Sequence, residues 1–224
     1  MKCILALHRD PSTGLDAELL GPGFRAALAA AGATRLQVNL DDADVAPAMR
    51  FGPGARITAV VSVWADETVA GPIVDVVRRL DPSADGWSVE ERRPLPGPEV
   101  ADGDRTDALA NVAFLRRPDA MPRAEWLADW LERHTPVAIA TQGTFGYVQN
   151  PVLEALTPGA PPVAGIVEEL FPMDAITDQH AFYGSDGDEA ELRRRFATLM
   201  ESCARFGADT GLDLVPTSRY RFTL

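Results

Sequence analysis

Ile57-Thr58-Ala59-Val60-Val61-Ser62-Val63-Trp64 is the run on which the fold turns. It is rich in β-branched side chains and holds no glycine or proline, so it reads as a strand. Soon after it the period changes. Val69, Ile73, Val76, Val77 and Leu80 fall on one face of a helix over about 68–80. Trp87 to Arg92 then reads as a second strand, completing a strand, a helix and a strand.

Working towards the N-terminus, Lys2 to His8 is a β-rich run closed by the turn-forming Asp10-Pro11-Ser12-Thr13-Gly14. Residues 16–33 read as an alanine-rich helix ending at Gly32, distorted early by Gly21-Pro22-Gly23. Arg35 to Leu40 is a short strand, and a Pro/Gly loop over 47–54 joins it to the decisive run. Towards the C-terminus, a polar connector runs from Pro94-Leu95-Pro96-Gly97-Pro98 to Asp102-Gly103-Asp104 and marks the best domain boundary.

Beyond the connector the order repeats. Asp107 to Arg116 is a strand, and a helix runs from Arg123 to Thr141 behind Pro122. Thr144 to Asn150 and Ala164 to Phe171 are strands. A helix over Asp188 to Phe206 carries the stripe Leu192, Phe196, Leu199, Met200, Cys203 and Phe206. Leu212 to Leu214 or Ser218 to Phe222 closes the series. The expected fold is α+β, with two tandem ferredoxin-like β-α-β-β-α-β units over residues 1–98 and 107–224. Each would be a four-stranded antiparallel sheet with its helices on one face. The bare faces would pack against each other as a barrel, helices outside.

The composition is that of an ordinary folded protein, 46% hydrophobic and 24% charged. Thirty-three acids against 21 bases give a net charge of −12. Lys2 is the single lysine, and the densest basic run, Arg193-Arg194-Arg195, lies in an amphipathic helix. That surface argues against nucleic acid and anionic membranes as partners. Cys3 and Cys203 form neither a metal spacing nor a disulfide framework and read as small buried thiols. The N-terminal apolar run is too short for a signal-peptide core, and no stretch of about 18 apolar residues exists. A cytoplasmic address is the expectation.

Two phrases of the second half bear a likeness to a known family. They are Arg117-Pro118-Asp119-Ala120-Met121-Pro122-Arg123-Ala124-Glu125-Trp126 and Trp130-Leu131-Glu132-Arg133-His134-Thr135-Pro136. The chain here resembles the EthD family of the dimeric α+β barrel superfamily. That family's phrase is a strand ending near Arg-x-Pro, a helix entry with Glu and an aromatic, then Trp, His and Pro in close order. The final helix and Pro216-Thr217-Ser218-Arg219-Tyr220 also resemble its close, so the likeness covers about 107–222. The first half carries no such Trp or His. The resemblance implies an intramolecular dimeric α+β barrel with a degenerate first half and one site in the second. It also implies a role around alkyl-ether degradation or polyketide decarboxylation. Superfamily neighbours include polyketide cyclases, small monooxygenases and lactone isomerases, mostly without a bound cofactor.

His134 is the candidate catalytic residue. Leu127, Leu131, His134 and Ala138 share a helix face, and Trp130 is one turn before the histidine. An imidazole there can act as acid or base near neutrality; the alternative is a core histidine bonded to a backbone carbonyl. Pro136 is expected to bend or end the helix. Tyr147 could hold an enolate oxygen and Gln149 orient a carbonyl, against plain packing in a strand. Glu168 and Glu169 are adjacent in a strand and must point to opposite faces; Glu169 is read as the pocket-facing one. His180, in the loop before the last helix, is a further binding candidate, and its spacing to His134 matches no metal motif. No metal and no cofactor are expected.

The leading expectation is a small cofactor-independent enzyme of lyase or cyclase type, acting by acid–base chemistry on a hydrophobic carbonyl-bearing compound. The alternatives are a non-catalytic accessory protein that binds an apolar ligand, and a cofactor-free monooxygenase with Trp126 or Trp130 beside its substrate. The partner is a small hydrophobic molecule, and the chain is a monomer or homodimer.

Overall fold

The computed structural model describes residues 1–224, apart from the side chain of Glu67. In chain order the first part comprises β1 (Lys2–Leu7), α1 (Leu15–Leu20), α2 (Pro22–Ala30), β2 (Ala33–Leu40), β3 (Ala59–Ala65), α3 (Ala70–Leu80), β4 (Asp85–Val89) and β5 (Arg92–Leu95). The second comprises β6 (Leu109–Leu115), α4 (Arg123–Ala128), a π-helical segment (Asp129–His134), α5 (Thr135–Thr141), β7 (Gly146–Ala155), β8 (Gly165–Phe171), α6 (Gln179–Tyr183), α7 (Glu189–Phe206) and β9 (Asp213–Thr223).

The architecture corrects the expectation of two ferredoxin-like sheets stacked face to face. The strands form one sheet in the order β4-β1-β3-β2-β9-β6-β8-β7, and β4 also pairs with β7. Eight strands therefore close on themselves as a single antiparallel barrel, with β5 added along β7. The physical reason lies at the strand edges. A free edge leaves a row of backbone N–H and C=O groups without partners. Here Arg35–Leu40 of β2 pairs in register with Ser218–Thr223 of β9. On the far side, Trp87, Ser88 and Val89 of β4 pair with β7 across a bulge. Strand-to-strand hydrogen bonds join the two parts along both seams.

Several local expectations are also corrected. The expected helix over 16–33 is two helices broken at Gly21, whose extended backbone precedes Pro22 at the first turn of α2. Pro94 and Leu95 belong to β5 rather than to the connector. The two alternative closing strands are one strand, β9.

Both faces of the barrel are covered, so strands such as β1, β6 and β8 are buried at every position. Outside β1–β3, Leu5, Leu7, Val38, Val61 and Val63 pack under Leu19, Leu28 and Ile73 of the first helices. Inside, one stretch of the lumen is dry, with Ile4, Val60, Trp87, Phe114, Ile166 and Val215. The rest is polar. Lys2 Nζ lies 2.6 Å from Glu168 Oε1, 3.0 Å from Asn150 Oδ1 and 3.2 Å from Glu91 Oε1. Gln37 Nε2 donates to Glu168 Oε2 at 2.5 Å. Burial alone would raise the Glu168 carboxyl, but the Lys2 ammonium and the Gln37 amide hold it down at about 2.

Candidate functional site

A cavity of about 710 Å³ lies outside the barrel, between the outer face of β6, β8 and β7 and the π-helical segment, α6 and α7. Its floor follows from strand alternation. Leu109, Asn111, Ala113 and Leu115 of β6 all face it, while Val112 and Phe114 face the lumen. The same alternation sends Glu169 of β8 into the cavity and Glu168 into the barrel.

Register sets the polar groups of the floor in one row. Asn111 is the cross-strand partner of Glu169, and Glu169 is the partner of Tyr147. Such neighbours stand with Cβ atoms about 4.5–5.5 Å apart. The rest of the floor is apolar. Among the described residues the row is therefore the one place on the floor where hydrogen bonding and proton transfer coincide.

The roof is set by the π-helical segment. Pro136 does not end the helix; an i→i+5 turn stands immediately before it. Pro136 has no N–H to donate to the preceding turn. Thr135 Oγ1 instead donates to Trp130 O at 2.9 Å, and Gln149 Nε2 of β7 donates to Thr135 Oγ1 at 2.7 Å. Trp130 and His134, both buried, line the cavity at the two ends of this segment. Gly165 of β8 leaves room for the Trp130 indole, because a Cβ there would run into its ring. Trp126 Nε1 donates to Phe206 O at 3.1 Å and ties α4 to α7.

Burial raises the Glu169 carboxyl to about 7, against a hydrogen bond from Gln142. With its NH₂ turned towards them, the Gln142 amide donates to Glu169 Oε1 at 3.0 Å and to Ala138 O at 3.2 Å. Glu169 is thus a carboxyl poised between its two protonation states near neutral pH. Tyr147 is raised well above the usual phenol by burial and by the nearby Glu169 charge; the neighbouring Trp130 indole N–H opposes this but falls short of hydrogen-bonding geometry. Burial likewise pushes the Cys203 thiol up to about 12, so this cavity cysteine is not a nucleophile.

His134 is lowered to about 4 by burial and by the Arg205 charge, so it is neutral at working pH. Its ring packs against Phe206 with centroids 4.8 Å apart. Arg205 donates to Ser202 Oγ at 2.9 Å, and Ser202 Oγ stands 3.0 Å from His134 Nδ1.

The structure brings His134, Trp130, Tyr147 and Glu169 together on this cavity. Gln149 braces the π segment from outside the lining. His180 is on α6, with Nδ1 2.7 Å from Ser185 Oγ and Nε2 3.4 Å from Glu189, and does not line the cavity. Sequence reading missed Asn111, Gln142 and Ser202. Asn111 carried a signal, as a lone polar residue on the alternating face of an apolar strand. Exposed Met49, Phe51 and Phe196 edge the opening. Among the described residues no group of three His, Cys, Asp or Glu side chains is placed to hold a metal, and no helix is long and apolar enough to cross a membrane.

No family model matches the chain, and no curated protein matches it. The EthD resemblance therefore rests on the quoted residues alone. Solved structures do match. One is described as an anthrone oxidase-like protein, 13% identical, with 99% of this chain and 92% of that one covered and a TM-score of 0.57. A "putative monooxygenase" from Fusobacterium nucleatum is 7% identical over 99% and 93%, with a TM-score of 0.52. Another from Lactobacillus acidophilus is 12% identical over 99% and 95%, with a TM-score of 0.50. At these identities the likeness shows the fold.

Proposed function

We propose that this protein is a cofactor-independent oxygenase for flat, apolar, carbonyl-bearing aromatic compounds of the anthrone type, with Glu169 as the base. The carrying observation is the Glu169 carboxyl, held near 7 on the floor of an apolar cavity and flanked in register by Asn111 and Tyr147. A methylene between two aromatic rings and conjugated to a ketone is acidic enough for such a base. The volume suits a ligand of several fused rings. The neighbours described as oxidase-like and monooxygenases favour oxygen as the second substrate.

In this reading Glu169 removes one methylene proton and leaves a carbanion whose charge spreads onto the ketone oxygen. The Asn111 carboxamide NH₂ is the donor beside that charge, and the Tyr147 hydroxyl stands on the other side of the base. The carbanion passes one electron to dioxygen, and radical and superoxide combine as a carbon-bound peroxide. Protonation from Glu169 gives the hydroperoxide. Loss of the second C–H proton, with O–O cleavage, yields a new ketone and water. The balance is R₂CH₂ + O₂ → R₂C=O + H₂O. The chain contributes the base, the oxyanion donor and a dry cavity. Neutral His134 acts as a fixed hydrogen-bonding group rather than as the base.

Oxygen uptake with anthrone tests the reading. Above the spontaneous rate, one O₂ is expected to disappear per quinone formed, and no product should form under anaerobic conditions. Turnover indifferent to oxygen would reject the oxygenase and leave the same base serving a lyase or cyclase.

A further inference from the structure

Among the described residues, three buried side-chain atoms have no hydrogen-bond partner: Asn111 Oδ1, Trp130 Nε1 and Arg219 Nη2. Arg219 is in the polar lumen, where its Nε donates to Thr106 Oγ1 at 3.2 Å. The other two line the cavity, Asn111 on the floor and Trp130 on the roof. Asn111 is 4% exposed. Leaving a buried amide unpaired is unfavourable, so a native protein rarely does it without a use.

Resting on the function proposed above, we infer that Asn111 is a specificity-determining residue that reads a hydroxyl set beside the ketone of the substrate. A carboxamide presents an acceptor and a donor side by side, and neither orientation of the group removes that pair. Its complement is a ligand edge with a hydroxyl and a carbonyl on neighbouring positions, as in a ring ketone flanked by a phenol. Register supplies the spacing. Asn111 and Glu169 are direct cross-strand partners, so their Cβ atoms stand about 4.5–5.5 Å apart. In a tricyclic ketone of the anthrone type the reactive methylene and the ketone oxygen lie across one ring. A ligand with its methylene on Glu169 thus brings its oxygenated edge to Asn111. The substrate class is a fused-ring hydroxy-ketone rather than the bare ring ketone.

Binding decides this without reference to turnover. Quenching of indole fluorescence is titrated with anthrone and with 1,8-dihydroxyanthrone under anaerobic conditions, on the wild type and on Asn111→Leu. The wild type is expected to bind the dihydroxy probe about tenfold more tightly or better, the scale of one well-made hydrogen bond. Asn111→Leu is expected to bring that ratio close to one. Asn111→Ser, smaller and still able to donate and accept, is expected to keep part of the preference and stands in should the leucine variant not fold. A wild type without preference, or a preference undiminished in Asn111→Leu (in Asn111→Ser, should the leucine variant not fold), overturns the assignment. Loss of turnover in Glu169→Gln with the preference intact would leave this inference standing, because the two results report different residues.

Discussion

Glu169→Gln is expected to lower kcat/KM for an anthrone-type substrate by about a thousandfold, within the range a positioned general base contributes. The amide keeps the shape and the contact with Gln142 but cannot take a proton. In the wild type, kcat/KM should rise with pH through about 7, as the Glu169 carboxyl ionises. The same substitution should stabilise the protein at alkaline pH. The folded pKa of Glu169 is raised above its ordinary 4.5, so its favourable contribution is full below about 4.5 and lost as pH rises through about 7. Above pH 8 the buried carboxylate costs on the order of 3 kcal/mol, which Gln does not incur. Urea unfolding at pH 5 and pH 8.5, with both proteins, checks it. A stability difference between variant and wild type that is the same at pH 5 and pH 8.5 would mean that Glu169 is not held near neutrality.

Lys2→Met is expected to be the most damaging single change to stability. It leaves the Glu168 carboxylate buried in the barrel without its cation, a loss of about 3–5 kcal/mol. For a chain of this size that corresponds to a fall in Tm of about 10 °C or more at pH 7. Glu168 is depressed to about 2, so the stability it carries is present above about 4.5 and fades as pH falls towards 2. The difference between variant and wild type should shrink in the same window. Lys2→Met with Glu168→Met, which replaces both charges by apolar side chains, should recover most of the loss. Because Glu168 and Glu169 face opposite sides of β8, the folded fraction of the single variant should retain turnover. Calorimetry at pH 7 and pH 3 provides the reading.

The adjacency of Glu168 and Glu169 shows what the sequence conveys and where it stops. Strand alternation alone sends the two carboxyls to opposite faces. It cannot say that one face holds the only lysine and the other holds nothing to neutralise a charge, and that contrast separates a carboxyl near 2 from one near 7. Helical spacing likewise turns Trp130 and His134 inward. Whether the imidazole is a base depends on Phe206, Ser202 and Arg205, distant in the chain and brought in by α7.

Barrel closure was illegible for a related reason. The pairing of Arg35–Leu40 with Ser218–Thr223 joins segments at nearly opposite ends of the chain. Periodicity reports which face of a strand is buried, not which edge meets which. The two-sheet expectation followed from treating each half as complete, yet β2 and β9 each lack an edge partner until the other half arrives. Pro136 gave a true signal of irregularity, but it could not specify a π turn held by Thr135 and Gln149.

The most direct test of Glu169 as the base is hydrogen exchange at the methylene of anthrone in D₂O without oxygen. Proton removal is then observed apart from any later step. Exchange above the buffer rate is expected with the wild type, increasing through about pH 7, and background exchange with Glu169→Gln. Wild-type exchange no faster than buffer, or full exchange in Glu169→Gln, would contradict the account.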